Sequence, residues 1–322
     1  MLKFLKNWTL PVAIVVGTVC YLIFRYVPQL DEMGDRMGEF FDVFFPITLF
    51  FTLFISFCKV DFREMKLRRW HLGVLVVQML LVAVNMWIIF LVQADAEQKM
   101  IAEAVLTCVI GPSATAAPVV ASKLGGNINS MTAFTLVSSL LAAVTIPAAF
   151  PLLEQVVHVT FFSAFLIILQ KISLVLVMPL VLAWLVRHYV PRLHKVIVSY
   201  PDLGFYCWSA ALSITTGVTV KNIFNSGASP LLLSLIALLS LAVCFLQFGL
   251  GRMIGHLLGE TINAGQAMFQ KNTALSIWVA YMYLNPVASI GAGCYVLWQN
   301  IINSLELWQD RNKKAKFAGH IQ

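Results

Sequence analysis

The sequence predicts an all-α membrane protein with ten transmembrane helices. They form two inverted five-helix repeats, whose fourth and ninth spans are broken and cross. Three observations carry that prediction. The 322-residue chain is 60% hydrophobic and 11% charged, with a mean hydropathy of +0.84, whereas soluble domains carry about 25% charged residues. Its Lys and Arg residues gather on one side of the apolar segments. Two of those segments are interrupted in corresponding positions of the two halves.

A span needs about 20 apolar residues. Such segments lie at 8–27, 37–58, 71–93, 100–122, 128–151, 160–188, 200–221, 229–256, 262–284 and 287–308. The first follows Lys3 and Lys6 without a small-residue cleavage site, so it reads as a retained helix rather than a signal peptide. The second opens on Glu39 and Asp42, expected as solvated helix-start charges. The third carries a lone glutamine, Gln78, in VLVVQMLLV. The fourth is interrupted by GPSATAAP (111–118). There Pro112 and Pro118 each remove a helix donor, Gly111 eases departure from helical geometry, and Ser113 and Thr115 supply hydroxyls. The fifth bears a polar run, Asn127, Asn129, Thr132, Thr135, Ser138 and Ser139, of which Asn127 and Thr135 are expected to face the break. The sixth holds Lys171, whose stem can snorkel to the interface. The seventh contains SITTGVT (213–219), with Ser213 and Thr216 as candidates for a cavity wall. The eighth carries Gln247 in VCFLQFGLG, the counterpart of Gln78. The ninth contains QAMFQKNTALSIW (266–278) and is interrupted at Gln270, Lys271, Asn272 and Thr273. The tenth closes the second half.

With the N-terminus inside, 16 of the 22 Lys and Arg residues fall on the inner side and 4 outside, while Lys171 and Lys271 lie within spans. Basic residues favour the cytoplasmic face, so both termini are expected in the cytoplasm and the chain in the plasma (inner) membrane. Five spans precede the loop at Gln155 and five follow. An odd count turns the second half over, giving inverted repeats at 1–155 and 156–322. A freed peptide group in hydrocarbon costs several kcal/mol unless protein buries it or it lines a wet cavity. Half-helix N-termini then offer a positive end to an anion, and half-helix C-termini offer carbonyls to a cation. Two broken helices crossing at mid-membrane point to a transport site for a small charged solute.

CVIGPSATAAPVVASKLGGN (108–127), followed by a Ser/Thr-rich span, resembles the first crossover of the bile-acid/sodium symporter family. QAMFQKNTALSIW resembles its second. The resemblance implies a core domain of spans 3–5 and 8–10 and a panel domain of spans 1, 2, 6 and 7. The substrate cavity would lie between them, with alternating access by rocking. It also implies two sodium positions. For the first, a Ser-Asn pair falls on Ala117 and Pro118, and a serine and a threonine fall on Met131 and Thr135, so only the threonine keeps an oxygen. A glutamate shared by both positions falls on Gln266. For the second, two glutamines match Gln78 and Gln270. The asparagine usual after the latter is Lys271. The two sodium positions are thus vestigial, with Gln78, Gln270 and Thr135 as their remnants, and no metal is expected there.

Two unit charges 4 Å apart repel by about 4 kcal/mol at an effective dielectric of 20, a weakening of roughly a thousand-fold. The substitution therefore predicts poor sodium binding. Three roles for Lys271 stand open. Its ammonium replaces a sodium ion. Burial disfavours the charged form, and the amine gains and loses a proton during transport. Or it pairs with the substrate's carboxylate or sulfonate. The candidate substrate- and ion-binding set is Lys271, Gln270, Asn272, Gln266, Thr273, Gln78, Ser113, Thr115, Asn127 and Thr135.

The function expected is secondary transport of a small organic anion: a steroid-like acid, a pantoate-like hydroxy acid or a keto acid. Sodium-coupled symport of bile-acid-like carboxylates is the alternative, and a channel or sensor the second. No P-loop, HExxH or GxSxG pattern is present, which argues against an ATP-driven pump or an enzyme. No cofactor and no nucleic-acid partner are called for. The partners expected are the organic anion, a coupling proton or sodium ion, and the lipid bilayer.

Overall fold

A computed structural model describes residues 8–27, 44, 47–48, 50–59, 66–153, 160–200 and 203–319. Lys3, Lys6, Arg36, Glu39, Asp42, Arg63 and the loop at Gln155 lie outside them, as does the side chain of Lys171. The named elements are all α-helices. They are α1 (Thr9–Tyr26), α2 (Arg69–Leu91), α3 (Ala96–Ile110), α4 (Ala117–Lys123), α5 (Ile128–Leu153) and α6 (Phe161–Tyr189), then α7 (Pro191–Ser199), α8 (Leu203–Asn225), α9 (Pro230–Leu258), α10 (Thr261–Phe269), α11 (Thr273–Tyr283) and α12 (Pro286–Gly319). Residues 50–58 are helical too.

Among the described residues, three helices are long and apolar enough to cross a bilayer individually: α2, α5 and α9. The interruptions expected in spans four and nine are present. α3 and α4 have 15 and 7 residues, and α10 and α11 have 9 and 11, so none of the four halves is long enough alone. Two features were not foreseen. α7 is a separate nine-residue helix after α6. α12 runs to Gly319, well past 308, because its tail is polar but built of good helix formers, with Lys314 and Asp310 paired one turn apart at 2.7 Å.

α2 shows how such a helix settles. It is apolar nearly all round, so burial follows its polar residues rather than its hydrophobic ones. His71, Val74, Gln78, Val82, Asn85 and Ile89 form one buried stripe at helical spacing, while Leu72, Leu80, Trp87 and Leu91 face outward. Caps fix several helix starts. Asp95 accepts from the Glu97 and Gln98 amides at the head of α3, and Ser229 accepts from Leu232 ahead of Pro230 in α9. α9 ends on Gly259, whose φ of +79° is the left-handed turn that glycine adopts freely.

Helix contacts rest on small residues. Hydrocarbon gives no hydrophobic drive for one apolar helix to meet another, so close backbone approach matters more. A Cβ at Gly17 of α1 would stand 2.1 Å from the Ser213 carbonyl oxygen of α8, and one at Gly291 of α12 would stand 2.1 Å from the Ala104 carbonyl oxygen of α3. These contacts leave no side chain to yield. Gly291→Ala is therefore expected to destabilise the protein by about 1–3 kcal/mol, read as a lower midpoint of thermal unfolding in detergent. Gly249→Ala, whose Cβ would meet nothing within 4 Å, should leave the midpoint unchanged.

Candidate functional site

The site grows out of the two breaks. α3 stops at Ile110, and Gly111 is extended, with φ −60° and ψ 146°. α10 stops at Phe269, and Gln270 is extended, with φ −83° and ψ 92°. The unwound segments run antiparallel and pair through Ser113 and Lys271. The Ala114 amide donates to the Gln270 carbonyl at 2.7 Å, and the Asn272 amide donates to the Pro112 carbonyl at 2.8 Å. Pro112 suits its place, since it needs no partner for an amide it lacks.

The remaining backbone groups find side chains. Gln78 donates to the Gly111 carbonyl at 3.0 Å, and Ser138 Oγ accepts from the Ser113 amide at 3.0 Å. Tyr295 donates to the Phe269 carbonyl at 2.7 Å. Gln247 Nε2 lies 2.9 Å from the Tyr295 hydroxyl and donates to the Cys108 carbonyl at 3.2 Å. Gln299 of α12 grips Lys271 from the far side. Its Oε1 accepts the Lys271 amide at 2.9 Å, and its Nε2 donates to the Lys271 carbonyl at 3.2 Å. The segment 270–272 is thus held like a strand, with the first break along one edge and one glutamine side chain along the other.

Lys271 itself differs from its backbone. The residue is 1% exposed, and Nζ has no hydrogen-bond partner. Lys271 lines a cavity together with Thr52, Thr115, Thr215, Asn272, Thr273 and Gln299. The cavity leaves about 30 Å³ for water centres, room for roughly two waters at 10–15 Å³ each. Its far wall comes from the helix at 50–58 and from α8. Asn272 Oδ1 caps α11 by accepting from the Leu275 amide at 3.3 Å. The Thr273 and Ala274 amides come first in that helix, at its positive end, and both residues line the cavity.

The other expected residues divide. Gln270 is fully buried, with neither amide atom partnered, and Ser113 Oγ is likewise unpartnered. Gln266 donates to Glu306 Oε2 at 2.8 Å, and the other oxygen of that carboxylate pairs with Arg252. Thr135 turns its hydroxyl onto the Met131 carbonyl of its own helix at 3.0 Å. Asn127 is exposed ahead of α5 and accepts from the Ser130 amide at 2.8 Å. In SITTGVT, Thr215 and Thr216 donate to the Ala211 and Leu212 carbonyls of their own helix, and Thr215 also lines the cavity. Gln299, Tyr295, Thr52 and Glu306 were not foreseen. Gln299 carried a readable signal, a glutamine in the apolar run VLWQNII, the same cue that marked Gln78 and Gln247.

The two sodium positions fare differently. At the first, Ala117, Pro118 and Met131 have no side-chain oxygen, and Thr135 is turned onto its own helix; these residues do not fit the ion. At the second, Gln78 Oε1, Gln266 Oε1 and Gln270 Oε1 are buried acceptors without partners, a neutral amide set with no carboxylate of its own.

Residues 46–245 match the model of the Sodium Bile acid symporter family, well over half of the chain, and the protein belongs to that family. It is accordingly an integral membrane protein of a transporter family, not of an enzyme family. The matched stretch includes the first break and ends before the second, so Lys271 and Gln299 lie beyond it. No curated protein matches the chain.

Replacing Gln299 with Leu would orphan both backbone groups of Lys271 in the protein interior, at about 1–3 kcal/mol each. The Gln299→Leu protein is expected to unfold at a markedly lower temperature in detergent. Gln299→Asn, one methylene short, should fall between it and the wild type.

Proposed function

We propose that this member of the sodium bile acid symporter family carries a small organic anion by alternating access, with Lys271 as the charge that receives the anion and without dependence on sodium. The observation that supports this most is the buried, unpartnered Nζ of a residue that lines the cavity at the head of α11. A lone buried ammonium is costly, and an opposite charge docked on it removes much of that cost. An ammonium standing in for sodium would bond the oxygens of Gln78 and Gln270, yet both oxygens lack partners. The geometry therefore favours an anion-facing role over a sodium mimic. A proton taken up by an uncharged amine as the anion enters would make that charge and keep the occupied site neutral.

In this reading the ten spans form inverted repeats with both termini in the cytoplasm. A panel of spans 1, 2, 6 and 7 moves against a core of spans 3–5 and 8–10. With space for about two waters, the cavity corresponds to a closed state. It must widen between the crossing and Thr52 and Thr215 before an anion enters. A second reading has one specific observation in its favour. The three unpartnered oxygens of Gln78, Gln266 and Gln270 are what a sodium ion would seek, making the chain a sodium-coupled carboxylate symporter.

Uptake of taurocholate and of pantoate into proteoliposomes, with sodium and proton gradients imposed separately, tests both. Saturable uptake of one probe without sodium is expected. Lys271→Gln should lower it at least ten-fold, since one buried ion pair exceeds about 1.4 kcal/mol. Strict sodium dependence would overturn the first reading in favour of the second. Undiminished uptake by Lys271→Gln would remove the lysine from either.

A further inference from the structure

α7 has no part in the crossing, yet it is built for a surface. It links α6 to α8, and none of its residues is buried. Leu193 and Val196 are 46% and 56% exposed, one helical turn apart. Arg192 and Lys195 flank them and are exposed as well. Among the described residues, neither cation pairs with a carboxylate, and no Asp or Glu occurs from 160 to 200.

The helix is nevertheless held in a fixed place. His194 Nε2 lies 2.8 Å from the Cys58 carbonyl at the end of the 50–58 helix. Ile197 packs on the large apolar cluster that contains Phe57 and Val186. Lys59 donates to the Tyr200 carbonyl at 2.9 Å just beyond the helix. Trp184 stacks on His188 with ring centres 5.5 Å apart, and Tyr189 and Tyr200 are exposed on either side of α7. Aromatic rings of this kind collect where hydrocarbon meets headgroups. A short helix with exposed Leu and Val beside unpaired cations suits the same depth. Its apolar side enters the acyl boundary and its charges reach the phosphates.

We infer that α7 is an interfacial helix that binds anionic phospholipid headgroups, with Arg192 and Lys195 as the contacts that select the negative charge. Charge complementarity chooses the occupant: cations that pair with no carboxylate among the described residues, no Asp or Glu within 160–200, and exposed apolar side chains in register with them. The bound lipid would anchor the α6–α8 connection beside the two helices that supply Thr52 and Thr215 to the cavity.

The test is native mass spectrometry of the full chain released from vesicles of phosphatidylcholine with about one-third phosphatidylglycerol. Each cation at an anionic surface is worth roughly a five-fold preference. The wild type is expected to retain phosphatidylglycerol selectively, and the double variant Arg192→Gln, Lys195→Gln should retain it about 25-fold less. Both positions are exposed, so the fold should be kept, checked by an unchanged thermal midpoint. Lys313→Gln with Lys314→Gln, which removes two cations elsewhere, should retain lipid as the wild type does. Equal retention by the α7 double variant would overturn the inference, as would no preference in the wild type. A dimer that the double variant dissociates would also overturn it, by making this face a contact between copies.

Discussion

Everything in the site depends on one constraint: a peptide group released from a helix inside the membrane must find a partner in the protein. The crossing meets that demand with the two breaks themselves. Each supplies an amide and a carbonyl to the other, at 2.7 and 2.8 Å. Each break thus takes part of its hydrogen bonding from its counterpart. This explains why a proline-rich interruption of one span accompanies a polar interruption of another about 160 residues away in sequence. The bridge also sets the order of the site, because once Gln270 and Asn272 are bonded on one edge, Lys271 must offer its own amide and carbonyl to the opposite side, where Gln299 waits.

The result is a lysine with a fully committed backbone and an uncommitted side chain. That contrast is the chemical content of the site. A rigid backbone fixes where the amine starts, and Nζ is buried without a hydrogen-bond partner in a residue that lines the cavity. The surrounding amides play a scaffolding part. Gln78 closes the carbonyl of Gly111 just past α3, and Gln247 closes that of Cys108 in its last turn. Thr135 and Asn127 are occupied with their own helix. The carboxylate closest in bonding to this region, Glu306, is held by Arg252 and Gln266 rather than presented to a cation.

Around the crossing, the protein is inverted relative to a soluble one. α2 turns His71, Gln78 and Asn85 inward and leucines outward, because the surrounding phase is hydrocarbon and buried polar groups can only be satisfied within. Helices meet through glycine at Gly17 and Gly291, where close approach replaces the hydrophobic drive as the cohesive element.

Much of this could be read from the chain. Composition identified the membrane setting, the prolines and QKNT located both interruptions, and the resemblance in 108–127 identified the family that residues 46–245 then matched. Each of these is a local property, written in consecutive residues. α7 escaped because nine residues between long apolar runs leave too short a period to stand out, and the tail of α12 escaped because it is helical without being apolar. Within the site, Gln299, Tyr295 and Thr52 escaped for a different reason. Their roles depend on which helix faces the crossing and at what rotation, and in spans apolar on all sides hydropathy carries no record of facing. The sequence by itself determined that two helices must break and where. Only the tertiary structure decided what satisfies the broken ends, because hydrogen-bond partners across a membrane bundle are chosen by packing between helices distant in sequence.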